Sequence, residues 1–343
     1  MKSLKEDYYN SLFSHIYVEK SVRTHVRTQR ILSKFPNAHI IEIEHYKDVF
    51  SRRKQNYVLQ HRSQNLILAA KAGNLIYKGA PVCQNFGNEY FYYTSCMMNC
   101  VYDCEYCYLK GMYPSGNLVV FVNLEDFFDK TQELLKEHPV YLCVSYDTDL
   151  LAFESVLGYA GEWASFLKQN PNLQIEIRTK SAGFLNIRQF RPVFGMITAV
   201  TLSPQMVIDA YEHGTPSLVR RLECVAQAQR NGFAVRLCFD PMIYCPDWEA
   251  QYEQMLDQVF LKIDMKQIKD VSIGTFRVSR KYLKNMRKDN PDSVIVQFPY
   301  ENIGGICQYP KELTNRMETF LLARLKEQIK EDQIFLWEKE NRI

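Results

Sequence analysis

The sequence predicts an α/β protein built on a parallel sheet. From residue 89 onward, short runs of β-branched and aromatic residues alternate with amphipathic stretches. The runs are 89–95, 140–146, 173–179, 196–203, 234–243 and 270–278. Strands that alternate with helices form βαβ units, and such units assemble into a parallel sheet. Six units are fewer than the eight of a closed (β/α)₈ barrel.

The stretches between the runs have helical spacing. In the stretch 217–232, Leu222 and Val225 fall on one face, and Gly232 provides a C-terminal stop. The stretch 313–332 carries an apolar stripe and predicts a helix packed against the outside of the domain. The first 80 residues mix helix with short strand, and no internal repeat is visible.

Composition indicates a globular protein of the cytosol. Hydrophobic residues make up 46% and charged residues 24% of the 343, which excludes a disordered chain. Apolar runs stay well below the roughly 18 residues of a membrane span, and the N-terminus lacks the apolar core of a signal peptide. In the cytosol, clustered cysteines more often bind metal or carry out chemistry than form disulfides.

The N-terminal region is basic. Residues 1–80 contain 14 Lys and Arg against 6 Asp and Glu, a net charge of +8. Four basic residues share one predicted helical face: Arg23, Arg27, Arg30 and Lys34. Arg52, Arg53 and Lys54 follow in the stretch SRRKQ. These side chains form either a solvated helix surface or a face that binds nucleic-acid phosphates.

Four cysteines lie together in TSCMMNCVYDCEYCYLKG, residues 94–111, directly after the first run. Structural zinc sites usually join two cysteine pairs from distant parts of a chain, and the bacterial ferredoxin run has another spacing. Cys100, Cys104 and Cys107 have the spacing C-x₃-C-x₂-C. Three thiolates on a 4Fe–4S cluster leave one iron open for chemistry, whereas Cys96 is then a bystander.

This motif resembles that of the radical S-adenosylmethionine superfamily. Longer blocks, among them SYDTDLLAFESVL, RTKSAGFL and HGTPSLVRRLECVAQAQRNGF, resemble the spore photoproduct lyase family from about residue 60 to residue 310. The resemblance implies a partial (β/α)₆ TIM-type barrel with an N-terminal α/β extension and a C-terminal helix. The expected domains are a basic N-terminal subdomain (1–80), the barrel (81–310) and a helical segment (311–343).

The resemblance also implies a function. With one 4Fe–4S cluster and S-adenosylmethionine, such an enzyme produces a 5′-deoxyadenosyl radical, which reverts 5-thyminyl-5,6-dihydrothymine in the DNA of germinating spores to two thymines. The implied partners are damaged DNA and an electron donor such as a ferredoxin or flavodoxin, without a membrane. Two alternatives stay open: a paralogue acting on another nucleic-acid or small-molecule substrate, and a non-catalytic iron–sulfur binding or electron-transfer protein.

Site residues follow from the resemblance position by position. Cys100, Cys104 and Cys107 would hold the cluster. Tyr106 would lie against the cofactor, and Tyr106 and Tyr108 would relay the radical. The methionine and ribose parts of the cofactor would contact residues at strand ends: Thr148, Lys180, Thr201 and Ser203.

One departure concerns the hydrogen donor. Many family members have a cysteine where this chain has Tyr146. A thiol is a suitable donor because its S–H bond is weaker than most C–H bonds. We expect Cys83, in a loop before the motif, to replace it, and Tyr146 could take part through its phenol. Cys143 is expected on the opposite strand face because of its odd spacing from Tyr146.

A second departure concerns DNA contacts. Family members carry an Arg-Tyr pair that suits a DNA phosphate. Here Tyr300 persists, but Pro299 occupies the arginine position. Arg277, Arg280 and Lys281, just after the sixth run, could contact the DNA backbone instead.

Overall fold

A computed structural model describes residues 13–80, 83–183 and 192–337. Its strands, in chain order, are β1 (His15–Glu19), β2 (His39–Ile43), β3 (Leu66–Ala69), β4 (Ile76–Lys78), β5 (Phe91–Thr94), β6 (Met97–Met98), β7 (Asp103–Cys104), β8 (Leu118–Phe121), β9 (Val140–Cys143), β10 (Leu173–Thr179), β11 (Met196–Thr201), β12 (Glu212–His213), β13 (Ala234–Met242), β14 (Asp270–Thr275), β15 (Arg277–Ser279), β16 (Glu301–Ile303), β17 (Ile306–Gln308) and β18 (Ile334–Leu336). Its α-helices are α1 (Val26–Leu32), α2 (Lys47–Phe50), α3 (Tyr57–Arg62), α4 (Leu109–Met112), α5 (Leu124–Leu135), α6 (Glu154–Leu157), α7 (Tyr159–Lys168), α8 (Gln205–Tyr211), α9 (Leu218–Arg230), α10 (Trp248–Lys262), α11 (Arg280–Asp289), α12 (Val294–Gln297) and α13 (Lys311–Lys326).

The main sheet contains all six predicted strands. Its order is β18-β14-β13-β11-β10-β9-β5-β4, and β5, β9, β10, β11, β13 and β14 pair in parallel. β18 extends the sheet in parallel beside β14, whereas β4 pairs antiparallel with β5. The open parallel sheet with its intervening helices confirms the predicted partial barrel.

The helices agree with the predicted spacing. In α9, Leu222 and Val225 are buried, and Ser217 caps the N-terminus by accepting the amide of Arg220. Gly232 follows with a φ of 77°, the left-handed backbone that favours glycine at a helix end. The amphipathic stretch 184–190 lies outside the described residues. Across the described part of the chain, no helix has the length and apolar character needed to cross a bilayer.

A second sheet forms around the N-terminal residues. Its order is β2-β1-β3-β8-β6, in which β1, β2, β3 and β8 are parallel and β6 is antiparallel to β8. Main-chain hydrogen bonding therefore crosses the expected boundary at residue 80, since β6 and β8 come later in the chain. The division into domains stays a prediction. Because β6 is part of the cysteine stretch, this sheet anchors the start of that loop.

The basic face of α1 packs against the barrel. Arg27 donates to Oε2 of Glu162 on α7 from Nε at 2.9 Å and from Nη2 at 2.7 Å, and it donates to the carbonyl of Val122 at 2.8 Å. Arg30 donates to Glu162 at 2.9 Å, and Lys34 donates to the carbonyl of Ser155. Arg27, Arg30 and Lys34 are therefore bound to the barrel and do not form an open phosphate site, whereas Arg23 stays partly exposed beside Glu42. The sequence showed the positive charges but not the carboxylate, which lies 135 positions from Arg27 in the chain.

Replacing Arg27 with alanine should lower the free energy of unfolding by about 3 kcal/mol, because Glu162 and the Val122 carbonyl lose a largely buried charged donor. The matched control is Arg23→Ala. Arg23 is partly exposed, with 38% of its side chain accessible, and lies 3.5 Å from exposed Glu42, so its loss should change stability by less than about 0.5 kcal/mol. Urea unfolding followed by circular dichroism measures both, and equal midpoints for the two variants would contradict this role of Arg27.

Candidate active site at the barrel mouth

The three-cysteine loop follows β5 and is held from two sides. Cys104 lies in β7, which pairs antiparallel with β12, and Glu105 donates its amide to the carbonyl of Tyr211 at 2.9 Å. On the other side, the carbonyl of Cys100 accepts hydrogen bonds from Gln64 at 3.0 Å and from His61 at 3.1 Å. These contacts fix the loop at the carboxyl ends of the parallel strands, where α/β proteins form their sites.

The three thiols form one electrostatic group. Burial raises the pKa of Cys104 to about 12, against the opposing effect of the Lys180 ammonium. Cys107 and Cys104 further raise the pKa of Cys100, whose shift is due first to burial. Over residues 13–80, 83–183 and 192–337, no three metal-binding side chains surround a point suited to a single ion. A 4Fe–4S cluster holds each thiolate on a different iron, so its sulfurs lie further apart than around one ion.

A buried carboxylate, Glu212, joins the loop to the barrel. It accepts hydrogen bonds from the hydroxyls of Tyr106 and Ser203, the latter at 2.8 Å, and pairs with Arg221. Burial by itself would raise the pKa of Glu212. The charges of Arg221 and Lys180 and the Tyr106 hydroxyl outweigh that effect and lower it to about 2. Glu212 is therefore ionised, and it orients Tyr106 inside the motif.

The strand ends beside the loop suit a polar cofactor. Asp149 accepts the hydroxyl of Thr179 at 2.6 Å and the amide of Lys180 at 2.7 Å, which fixes the start of the segment after β10. The Lys180 ammonium lies 5.4 Å from the centre of the Tyr106 ring. The Thr148 hydroxyl is buried and has no hydrogen-bond partner in the part of the chain that the structure describes. Such a hydroxyl ordinarily has a partner, so a bound polar group fits here.

Two further predicted cofactor contacts, Thr201 at the end of β11 and Ser203 just after it, have surroundings that differ from those of Thr148 and Lys180. The carbonyl of Thr201 accepts a hydrogen bond from Arg221 at 3.1 Å, and the hydroxyl of Ser203 is occupied by Glu212. Both residues therefore line the buried ion pair. Their role as cofactor contacts stays a prediction, whereas the three thiols, Thr148 and Lys180 together fit a 4Fe–4S cluster with S-adenosylmethionine.

Cys83 and Tyr146 are in contact. The sulfur of Cys83 lies 3.3 Å from the phenolic oxygen of Tyr146. The Tyr146 ring stacks on Tyr93 with centroids 4.0 Å apart, and the Tyr108 hydroxyl donates to the Tyr146 carbonyl at 2.7 Å. The structure thus brings together the thiol and the two tyrosines that the sequence singled out. Their roles in hydrogen transfer stay predictions.

The other two thiols differ in position. Cys143 is the Cα partner of Tyr93 in the parallel pair β5–β9, so both side chains share a sheet face. Tyr146 stacks on Tyr93. The expected opposite face for Cys143 is therefore wrong, because the strand ends at Cys143 and strand alternation does not extend to Tyr146. Cys96 is fully buried, and its thiol donates to the carbonyl of Val144.

The predicted DNA contacts do not form one group. Arg277 makes a bidentate pair with Asp240, at 2.8 and 3.0 Å, and only 10% of its side chain is exposed. The Tyr300 hydroxyl donates to the carbonyl of Ile295 at 2.8 Å, and its ring packs against other aromatic rings. Arg280, at the start of α11, is exposed together with Lys281. The exposed pair is accessible to a phosphate, whereas the Arg277 guanidinium is occupied by a carboxylate.

Glu212, Arg221 and Asp147 are site residues that sequence reasoning missed. Asp147 accepts a hydrogen bond from Ser95 and lies 3.4 Å from the Tyr108 hydroxyl. In the sequence, the position of Asp147 between Tyr146 and Thr148, two predicted site residues, was the signal that could have identified it. Glu212 directly precedes the block HGTPSLVRRL, which carries part of the family resemblance. No local sequence pattern relates its carboxylate to Tyr106, which lies 106 positions earlier.

A partial parallel barrel with a C-x₃-C-x₂-C loop after its first strand defines the radical S-adenosylmethionine class. The family model described as spore photoproduct lyase matches residues 88–295. The chain belongs to the spore photoproduct lyase family. A curated relative, spore photoproduct lyase of Clostridium acetobutylicum, is 23% identical over 183 residues, which cover 52% of this chain and 54% of the relative. The match thus spans about half the length of that relative.

Solved structures show the same fold. A cysteine-to-alanine variant of spore photoproduct lyase has a TM-score of 0.82 at 15% identity, covering 94% of this chain and 98% of the other. Spore photoproduct lyase complexed with dinucleoside spore photoproduct has a TM-score of 0.78 at 16% identity, covering 95% and 99%. A double variant with bound AdoMet and dinucleoside spore photoproduct has a TM-score of 0.77 at 15% identity, covering 94% and 98%. At these identities the similarity concerns the fold.

Replacing Glu212 with alanine should lower the free energy of unfolding by about 3–5 kcal/mol, because Arg221 would remain as an unpaired buried charge. Tyr106→Phe is the control, since it removes one hydrogen bond to the same carboxylate and should cost about 1.5–3 kcal/mol. Thermal unfolding and the iron content after anaerobic reconstitution measure both effects. Equal losses for the two variants would show that the ion pair does not support the loop.

Proposed function

We propose that this protein is a cytoplasmic DNA repair lyase that reverts 5-thyminyl-5,6-dihydrothymine to two thymines. The observation that carries the proposal is the contact between Cys83 and Tyr146 at the barrel mouth, beside the three-cysteine loop. Family membership supports the reaction class, and the relatives named for spore photoproduct support a thymine lesion as substrate. The function rests on a 4Fe–4S cluster held by Cys100, Cys104 and Cys107 and on S-adenosylmethionine beside Thr148 and Lys180.

The bound cofactors supply the 5′-deoxyadenosyl radical that removes a hydrogen atom from the lesion. The protein then has to return a hydrogen atom to the thymine radical formed when the methylene bridge breaks. In our proposal the S–H bond of Cys83 supplies that atom, which leaves a thiyl radical. The O–H of Tyr146 donates its hydrogen atom to the sulfur and restores the thiol. The unpaired electron then resides on Tyr146. Tyr108 donates a hydrogen atom to the Tyr146 oxygen, and the radical left on Tyr108 recovers a hydrogen atom from 5′-deoxyadenosine, in the relay to the cofactor that the resemblance implies.

The geometry supports each of these roles. Cys83 and Tyr146 are at hydrogen-bond distance, so a hydrogen atom has a short path between sulfur and oxygen. The rings of Tyr108 and Tyr146 have centroids 6.0 Å apart, and a hydrogen bond joins the Tyr108 hydroxyl to the Tyr146 main chain. Asp147, within reach of that hydroxyl, orients Tyr108. Exposed Arg280 and Lys281 are available to neutralise DNA phosphates near the mouth.

Anaerobic reconstitution with dithionite tests the reaction class. The reconstituted protein should convert S-adenosylmethionine to 5′-deoxyadenosine, and Cys100→Ala, Cys104→Ala and Cys107→Ala should each abolish this product because each removes a cluster ligand. Cys96→Ala is the matched control and should retain it. Product analysis by chromatography with a dinucleotide spore photoproduct should show two thymines. If 5′-deoxyadenosine forms but thymine does not, the substrate is another molecule, as a paralogue would require.

Replacing Cys83 with alanine tests the hydrogen donor. The variant should still form 5′-deoxyadenosine, but most of the substrate radical should be diverted to side products because its hydrogen-donating S–H bond has been removed. Cys83→Ser should behave in the same way, since it keeps a hydrogen-bonding group but not a weak S–H bond. Cys143→Ala, which removes a neighbouring thiol, should retain the thymine yield. An unchanged thymine yield in both Cys83 variants would exclude Cys83 from the mechanism.

A further inference from the structure

A positively charged surface lies beside the three-cysteine loop, on residues 52–62. Arg52, Arg53, Lys54 and Arg62 are all exposed, and the side chain of Leu59 among them is 60% exposed. Between residues 47 and 65 the chain has five Lys and Arg residues but a single Asp and no Glu. Unlike the basic face of α1, these side chains point to solvent. We call residues 52–62 the basic patch.

The basic patch connects directly to the cluster loop. Its last turn includes His61, whose Nε2 lies 3.1 Å from the carbonyl oxygen of Cys100. Tyr57, at the start of α3, donates its hydroxyl to Asn99 at 3.3 Å. Gln64, two residues beyond the patch, donates to the same Cys100 carbonyl at 3.0 Å. Covalent bonds and single hydrogen bonds therefore join the surface to a cluster ligand. Electron tunnelling falls steeply with distance and is more efficient through bonds than across gaps, so this route suits electron delivery.

We propose that the basic patch is the docking surface for an acidic one-electron carrier protein that reduces the cluster. The inference rests on the proposed function, because radical formation there requires an electron from outside the protein. The carrier is oxidised by one electron and the cluster is reduced by one, and no bond is formed or broken in this step. Acidic side chains around the exposed redox centre of the carrier would face Arg52, Arg53 and Lys54, which steers association and sets orientation.

Two observations favour a protein partner over DNA at this surface. Exposed Leu59 gives the patch an apolar side chain beside its charges, and protein–protein interfaces combine apolar and polar groups in this way. The lesion in DNA has to reach Cys83 and Tyr146 at the barrel mouth, whereas the patch contacts the loop through the main chain of Cys100. A reductant at the patch therefore engages residues other than those that the lesion has to reach.

The test uses full-length reconstituted protein and a bacterial flavodoxin as the probe. The variant carries three charge reversals, Arg52→Glu, Arg53→Glu and Lys54→Glu. The matched control carries Lys262→Glu, Lys266→Glu and Lys269→Glu, three exposed lysines just before β14, at the opposite ends of the barrel strands. Two quantities are measured at low salt: the dissociation constant for flavodoxin, and the stopped-flow rate at which flavodoxin hydroquinone bleaches the cluster absorbance.

We expect the basic-patch variant to bind flavodoxin at least about tenfold more weakly and to be reduced by it at least about tenfold more slowly, whereas the control variant matches the wild type. Reduction by dithionite should be the same in all three proteins, because a small reductant needs no docking surface. Raising the salt concentration should slow reduction of the wild type by flavodoxin, since screening weakens attraction between exposed charges.

Three results would overturn the proposal. The first is equal flavodoxin binding and reduction in the two variants, and the second is a basic-patch variant whose reduction by dithionite slows as much as its reduction by flavodoxin. The third is a basic-patch variant with unchanged flavodoxin binding but weaker binding of a DNA duplex. The last result would assign the patch to DNA. Neither measurement requires turnover. If the wild type is reduced by flavodoxin but leaves dinucleotide spore photoproduct intact, the lyase proposal fails, and a difference between the variants still supports docking.

Discussion

The buried ion pair between Glu212 and Arg221 is the interaction on which the site depends. Both side chains are fully removed from solvent, and each would be costly to bury without the other. The carboxylate also accepts hydrogen bonds from Tyr106 in the cysteine motif and from Ser203 at the end of β11. One ionised group thus joins the motif to the barrel. Because β12 pairs with β7, the same residue holds the main chain of Cys104.

A second buried charge network supports the loop that carries Cys83. Arg236 on β13 pairs with Asp270 on the adjacent strand β14 and with Glu176 on β10, which lies beyond β11 in the sheet. The face of its guanidinium lies 3.2 Å from the ring centroid of Phe86, three residues after Cys83. The contact between Arg236 and Phe86 thus attaches the loop to the barrel, and the Tyr146 hydroxyl contacts the Cys83 thiol in the same loop. A cysteine outside the regular strands can then occupy a defined position at the mouth.

The basic residues of the N-terminal region serve two different purposes. Arg27 and Arg30 on α1 are used within the molecule, where they attach the small sheet to α7 through Glu162. Arg52 and Arg53, before α3, stay exposed next to the cysteine loop. The net charge of the region does not distinguish these two uses, because it does not show which basic residues lie beside carboxylates in the folded protein. Only the second group is available to a partner.

The sequence by itself determined the six parallel strands, the α9 helix with its glycine stop and the three-cysteine loop, since these depend on periodicity and spacing over a few residues. Only the tertiary structure decided the contact of Cys83 with Tyr146, 63 positions away, and the shared face of Cys143 and Tyr93. Such contacts depend on strand register and on where a strand ends. Neither is encoded in the local pattern, because register is set by how distant segments pack against each other.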